Sequence, residues 1–164
     1  MKALIVYCHP SENSFTRHVR DAVIRGIEDS GNAITIGEHT RILGKTHLAA
    51  IEGTQIRIGG DCLFSSDVHI RTGDSHSVLD LNGMRINPSE NIVIGDHVWV
   101  GTKVTCLKGA AVPSRSIIGA CALVTGKFTE ENCALAGVPA KVVKRGVDWD
   151  IRRLPIEDKK GQVE

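Results

Sequence analysis

The sequence predicts an all-β solenoid, a parallel β-helix, and three observations point to it. Aliphatic residues recur every six positions from about residue 34 to 145. Small apolar residues recur at a fixed offset from them. Aromatic residues make up only 4% of the chain, beside 17 glycines. An ordinary globular core fills its volume with Phe, Tyr and Trp, whereas a narrow core of stacked aliphatic side chains does not.

The elements follow in chain order. Residues 1–32 read as one strand and one helix. Lys2 to Tyr7 is a continuous apolar run suited to a buried strand. Phe15, Val19, Ala22, Val23 and Ile27 have helical spacing, with Ser14 as a cap and Gly31 as a stop. From Ile36 the period becomes six, through Ile42 and Leu48, then Ile58, Phe64 and Ile70. The step from Ile36 to Ile58 is 22 residues, which places an insertion of four near 50–57. The clearest register runs Ile94, Val100, Cys106, Val112, Ile118 and Val124; it lapses at Glu130 and resumes at Ala136 and Val142. Four residues after each anchor sits Val98, Val104, Ala110, Ser116, Ala122, Phe128, Ala134 or Ala140.

Between Ile70 and Ile94 the frame of six holds by count, yet positions 76, 82 and 88 are His, Asn and Pro. These cannot anchor a core, so roughly 76–91 is a loop extruded from the stack. Three hexads per turn make a triangular coil whose rungs lie about 4.8 Å apart. Glycine after the anchors, at 95, 101, 119 and 137, is assigned to tight corners. A β-sandwich would instead show turn signals every 8–12 residues. The expected division is 1–32 as the strand–helix unit, 33–147 as the solenoid and 148–164 as a polar tail.

Composition excludes several function classes. The net charge is +1 and the basic residues are dispersed, so no concentrated face for nucleic acid is expected. Five cysteines at 8, 62, 106, 121 and 133 lack metal-ligand or paired spacing, which suits a reducing, cytoplasmic setting. The first apolar run is too short for a signal peptide or a membrane span.

IGDHVWVGTKV, IIGACALVTGKF and AGVPAKVVK resemble the hexapeptide-repeat acyltransferases. The stretch RTGDSHSVLDLNGMRINPSENIVIGDHVWVG is similar to sugar O-acetyltransferases of the galactoside, maltose and capsular-polysaccharide kind. The resemblance, over about 34–150, implies a left-handed coil. The spacing alone does not give the hand, and a left-handed crossover departs from the usual rule for parallel strands. The resemblance also implies a homotrimer with sites between subunits, acetyl-CoA as co-substrate, no metal, and a sugar or polysaccharide acceptor. Residues 1–32 resemble the opening of flavodoxin-like NAD(P)H:quinone oxidoreductases, but that fold needs five parallel strands and only one βα unit is present here, which argues against flavin binding by this fragment alone.

His76, in Gly73-Asp74-Ser75-His76, is the leading candidate for chemistry. Acyl transfer from a thioester to a hydroxyl needs a base, and imidazole suits that task near neutral pH. Asp74 and Asp80 are both candidates to orient its ring. The resemblance assigns the catalytic base to a histidine at the start of this loop, which matches His76. It places Trp99 beside that histidine. Asp74, Arg85 and Asn87 are candidates to contact the acceptor, with Arg85 equally readable as a solvated charge. Thr102, Gly119, Ala120 and Thr125 fall where the family lines its CoA groove, and Lys141 and Lys144 where it contacts the CoA phosphates. An oxyanion would be held by a backbone N–H near Trp99 to Thr102. His97 reads as a solvated residue and His69 as one that could line the site. Two other classes stay open: an inert β-helix scaffold and, from the first 32 residues, a flavin or nicotinamide reductase. His69, His76 and His97 could in principle make a three-histidine zinc site, but their spacing does not resemble that of the metal-dependent β-helix carbonic anhydrases, and the AGVPAKVVK motif speaks against it. A covalent acyl-cysteine lacks an activating neighbour.

Overall fold

The computed structural model describes residues 31–156 and the backbone of residues 4–6. The expected helix at Phe15–Ser30 lies outside the described residues. The repeat folds into a three-faced parallel coil. One face stacks β2 (Ala33–Ile36), β5 (Gln55–Ile58), β8 (Ile92–Ile94) and β11 (Ala111–Val112). The second stacks β3 (Arg41–Ile42), β6 (Leu63–Phe64), β9 (Trp99–Val100), β12 (Ile117–Ile118), β14 (Cys133–Ala136) and β15 (Lys141–Arg145). The third stacks β1 (Leu4–Val6), β4 (Thr46–Ala49), β7 (Val68–Arg71), β10 (Thr105–Cys106) and β13 (Leu123–Val124).

The hexad anchors pair rung to rung: Ile36 with Ile58, Ile58 with Ile94 and Ile94 with Val112 on the first face. Phe64, Val100, Cys106, Ile118 and Val124 are fully buried, and Val98, Val104, Ala110 and Ala122 fill the space between them. Each strand is too short to bury its face alone, so the core exists only as a stack. β1 pairs antiparallel with β4, so it closes the free edge of the third face rather than opening a parallel sheet.

Two expectations are corrected. The register resumes at Leu135, not Ala136: Ile118 pairs with Leu135 and Cys133 takes the small interior position, so this coil is one residue short. The chain then reverses, and β15 runs antiparallel to β14 with Leu135 opposite Val142. Of the corner glycines, Gly137 takes the left-handed conformation expected (φ 102), whereas Gly95, Gly101 and Gly119 serve a different purpose. A Cβ on Gly95 would lie 2.5 Å from the Ser114 nitrogen, and one on Gly101 2.7 Å from the Ala120 nitrogen. These glycines let one coil sit against the next. The left-handed backbone positions are two residues later and carry side chains, at Asp61 (φ 53), His97 (φ 53), Lys103 (φ 58) and Cys121 (φ 61).

Candidate active site

His76 stands at the corner between the third and first faces, where the chain leaves β7 and does not return until β8. The extruded segment is a small hairpin, with an antiparallel bridge between Leu79 and Arg85. Its clasp is Asn87, 6% exposed. The Asn87 side-chain oxygen accepts from the Val78 N–H (2.8 Å) and the Arg85 Nε (3.1 Å). Its amide nitrogen donates to the Asp74 carboxylate and to the His76 carbonyl, both at 2.9 Å. Asn87 therefore positions the loop around His76; its polar atoms already have partners.

Charges fix the base of the loop. Lys108, from the next coil, donates to Asp74 at 2.7 Å, and with Asn87 it holds that carboxyl below the usual range. Arg85 grips both oxygens of Glu52 at 2.6 and 3.0 Å, and Ser89 donates to Glu52 at 2.7 Å. Those bonds lower the Glu52 carboxyl to about 2. Glu52 comes from the insertion between β4 and β5, so the two departures from the repeat hold each other. Asp80 accepts from the Asn82 and Met84 N–H groups and shapes the hairpin turn. Among the described residues, the His76 ring makes no hydrogen bond, so neither Asp74 nor Asp80 orients it.

Three of the four residues assigned to the CoA groove gather at a different corner, on the far edge of the third face. Gly101, Gly119 and Ala136 succeed one another down the corner between the second and third faces, flanked by Thr102 and Ala120. Lys141 stands opposite Ala136 and Lys144 opposite Ala134 at the foot of the second face. Thr125 does not join them; it follows β13 at the corner that carries His76, lower in the stack. The Trp99 and Gly101 N–H groups are bound to the Ser116 and Ile118 carbonyls, whereas the Thr102 N–H has no partner among the described residues. Thr102 thus carries the donor available to an oxyanion in this stretch.

Trp99 points outward from β9 and is 39% exposed. It does not meet His76 within the chain, because the second face lies across the prism from the corner of His76. Its neighbour is Trp149, 6.2 Å away between ring centroids, a residue the sequence reading passed over. Trp149 also stacks on His97, which is therefore covered rather than solvated. Trp149 Nε1 donates to the His97 carbonyl (2.9 Å), and Asp148 pairs with Arg115. Residues 148–151 thus lie across the second face over Leu63, which is 9% exposed despite pointing outward.

A polysialic acid O-acetyltransferase of Escherichia coli O1:K1 is 35% identical over 152 residues, covering 89% of this chain and 49% of that protein. The solved polysialic acid O-acetyltransferase OatWY superposes with a TM-score of 0.73 at 35% identity, over 79% of this chain and 61% of its own. The chain is similar to these O-acetyltransferases over most of its own length. The galactoside O-acetyltransferase of Escherichia coli K12 is 32% identical over 73% of the chain and 58% of its own length. The chain thus spans about half to three fifths of the length of these relatives. No protein-family model matches it. The fold is a left-handed parallel β-helix. A hexapeptide-repeat acetyltransferase of Vibrio cholerae, solved with acetyl-CoA, shares that fold with a TM-score of 0.62 at 23% identity. Nothing in these comparisons supports a flavodoxin-like origin for residues 1–32. No described helix is long and apolar enough to cross a membrane.

Proposed function

We propose that this chain transfers an acetyl group from acetyl-CoA to a hydroxyl of a sugar or surface polysaccharide, with His76 as general base. The observation that carries the reading is the build of the loop. Asn87, Asp74, Lys108, Arg85 and Glu52 together fix the segment that bears His76, while its imidazole is left exposed and without a partner among the described residues. A histidine held by its backbone with a free ring is arranged to exchange a proton. The relatives named as sugar O-acetyltransferases supply the class of reaction.

The His76 ring takes the proton of the acceptor hydroxyl as its oxygen attacks the thioester carbonyl. The Thr102 N–H donates to the oxyanion that develops there. The thiolate leaves with the electron pair of the C–S bond, and the imidazolium returns the proton to it. The low wall of Gly101, Gly119 and Ala136 suits a long, narrow pantetheine arm. Lys141 and Lys144 would meet its phosphates.

His76 and this groove stand at different corners of one chain, with the width of the third face between them, so the complete site lies between copies, in a homotrimer. The exposed apolar side chains of the loop, Val78, Leu79, Leu81, Met84 and Ile86, support that arrangement. The test is thiol release from acetyl-CoA across a panel of mono- and polysaccharides, with calorimetric titration of CoA into wild type and the Lys141→Ala, Lys144→Ala double variant. Acceptor-dependent thiol release and CoA binding weakened by about tenfold or more are expected, since charge-assisted bonds are worth roughly 1.5–3 kcal/mol each. No release with any acceptor would contradict the activity, and unchanged affinity would contradict the assignment of the lysines.

A further inference from the structure

Trp99 and Trp149 are the only tryptophans of the chain, and the acetyltransferase reading gives a place to the first alone. Trp99 stands on the second face two residues before Gly101 and three before Thr102, so β9 delivers it to the edge of the corner that carries the groove. On the outer surface of that face it lies in register between Leu63 on one rung and Ile117 on the other. Both are aliphatic and smaller than an indole. An outward side chain of this size exchanges between rotamers unless something beside it stops the motion.

Trp149 is placed to be that stop, and it is itself tightly fixed. Its ring stacks on His97 with centroids 4.5 Å apart and planes 13° from parallel. Its Nε1 donates to the His97 carbonyl at 2.9 Å, and its own carbonyl lies 3.1 Å from the His97 Nε2. Beside it, Asp148 pairs with Arg115, and the Val147 N–H donates to the Asn132 carbonyl at 2.9 Å. His97 is the left-handed corner residue (φ 53) two positions before Trp99. The C-terminal strap thus grips the corner from which β9 starts, and it sets the Trp149 indole against Trp99 at 6.2 Å and a tilt of 44°. A strap whose sole task was to shield apolar surface would cover the larger side chain. This one leaves Leu63 9% exposed and Trp99 39% exposed. Trp99 is braced and still open, the arrangement of a side chain pre-organised to meet a ligand.

We infer that Trp149 is a positioning residue: it holds Trp99 in the orientation in which that indole borders the bound substrates, so residues 147–149 serve the active site rather than trail from the coil. The inference rests on the acetyltransferase reading and on the place of Trp99 in it. Trp149 touches no reacting atom; it acts through Trp99.

The experiment compares the full chain with Trp149→Ala, Trp149→Phe and Arg115→Gln, each checked by thermal melting. In both Trp149 variants Trp99 is the sole tryptophan, so its emission can be followed directly. Wild type should show the circular-dichroism couplet of two closely spaced indoles, and both Trp149 variants should lack it. Quenching of Trp99 by acrylamide should be several-fold stronger in Trp149→Ala than in Trp149→Phe, which keeps a ring against Trp99. Thiol release from acetyl-CoA should show kcat/KM lowered roughly 3- to 10-fold in Trp149→Ala, the cost of ordering one loose side chain on binding. KM should carry the larger share, and Trp149→Phe should recover most of the loss. Arg115→Gln frees Asp148 and alters neither tryptophan. It should shift quenching and KM in the same direction by less, and it carries the test if Trp149→Ala does not fold. A folded Trp149→Ala with wild-type kcat/KM, or equal quenching in the Ala and Phe variants, overturns the inference while acetyl transfer by wild type stands. No thiol release by wild type would overturn the acetyltransferase reading, and this inference with it.

Discussion

Asn87 donates its side-chain amide to the Asp74 carboxylate at 2.9 Å, joining the two ends of the extruded loop across 13 residues. The same amide reaches the His76 carbonyl, so one buried side chain sets where the imidazole begins. Replacing Asn87 with Ala leaves the Val78 N–H and the Arg85 Nε without their acceptor. A buried polar group left unpaired costs about 1–3 kcal/mol. The expected outcome is a lower melting temperature, by about 2–4 °C for each kcal/mol lost at this size, and faster amide exchange across 76–86. Exchange at the wild-type rate would show that Asn87 is not the clasp.

The Glu52–Arg85 pair gives the loop a pH limit. Glu52 is ionised and paired when folded, with its carboxyl lowered to about 2 from an ordinary 4.5. A group depressed in the folded state stabilises fully above its ordinary value and loses that contribution as pH falls toward the folded value. The clasp should hold from neutral pH to about 4.5 and weaken progressively below it. Amide exchange around Ser89 and Arg85, followed from pH 6 to 3, checks this. Glu52→Gln should show the loosened behaviour at every pH.

The corner glycines make a sharper distinction. Gly101→Ala drives a methyl to 2.7 Å from the Ala120 nitrogen, whereas nothing lies within 4 Å of a methyl on Gly126. Overpacking of this sort costs about 1–3 kcal/mol. Gly101→Ala should melt several degrees lower and Gly126→Ala close to wild type. Equal melting temperatures would contradict the close stacking of coils at this corner.

The regular coils were legible because each interior position from Ile94 to Val124 is aliphatic or small and the period never slips. The slip to Leu135 was not, because Ala136 keeps a hydrophobic residue in the old frame while Cys133 and Leu135 move inward. Gly95 and Gly101 stand at the right places for another reason than the one expected: a period shows where a small residue recurs, not what would strike its missing Cβ. Trp149 escaped notice because a lone aromatic in a polar tail has no periodicity to mark it. Its partner His97 is 52 residues away, beyond any local pattern. The candidate base was placed by a break in the repeat at His76, but the groups that hold its loop, Glu52, Asn87 and Lys108, come together only in the folded coil.

The central claim is that His76 takes the acceptor proton. Thiol release by wild type and His76→Ala, at saturating acetyl-CoA and with melting temperature as the folding control, tests it most directly. The side chain is exposed and supports no core layer, so the variant should melt like wild type. It should bind CoA as tightly, because the ring stands at a different corner of the coil from the Gly119 and Lys141 groove. Its turnover should fall by about 10²–10⁴-fold, the usual loss when a general base is removed. A folded His76→Ala that turns over at close to the wild-type rate would contradict the account.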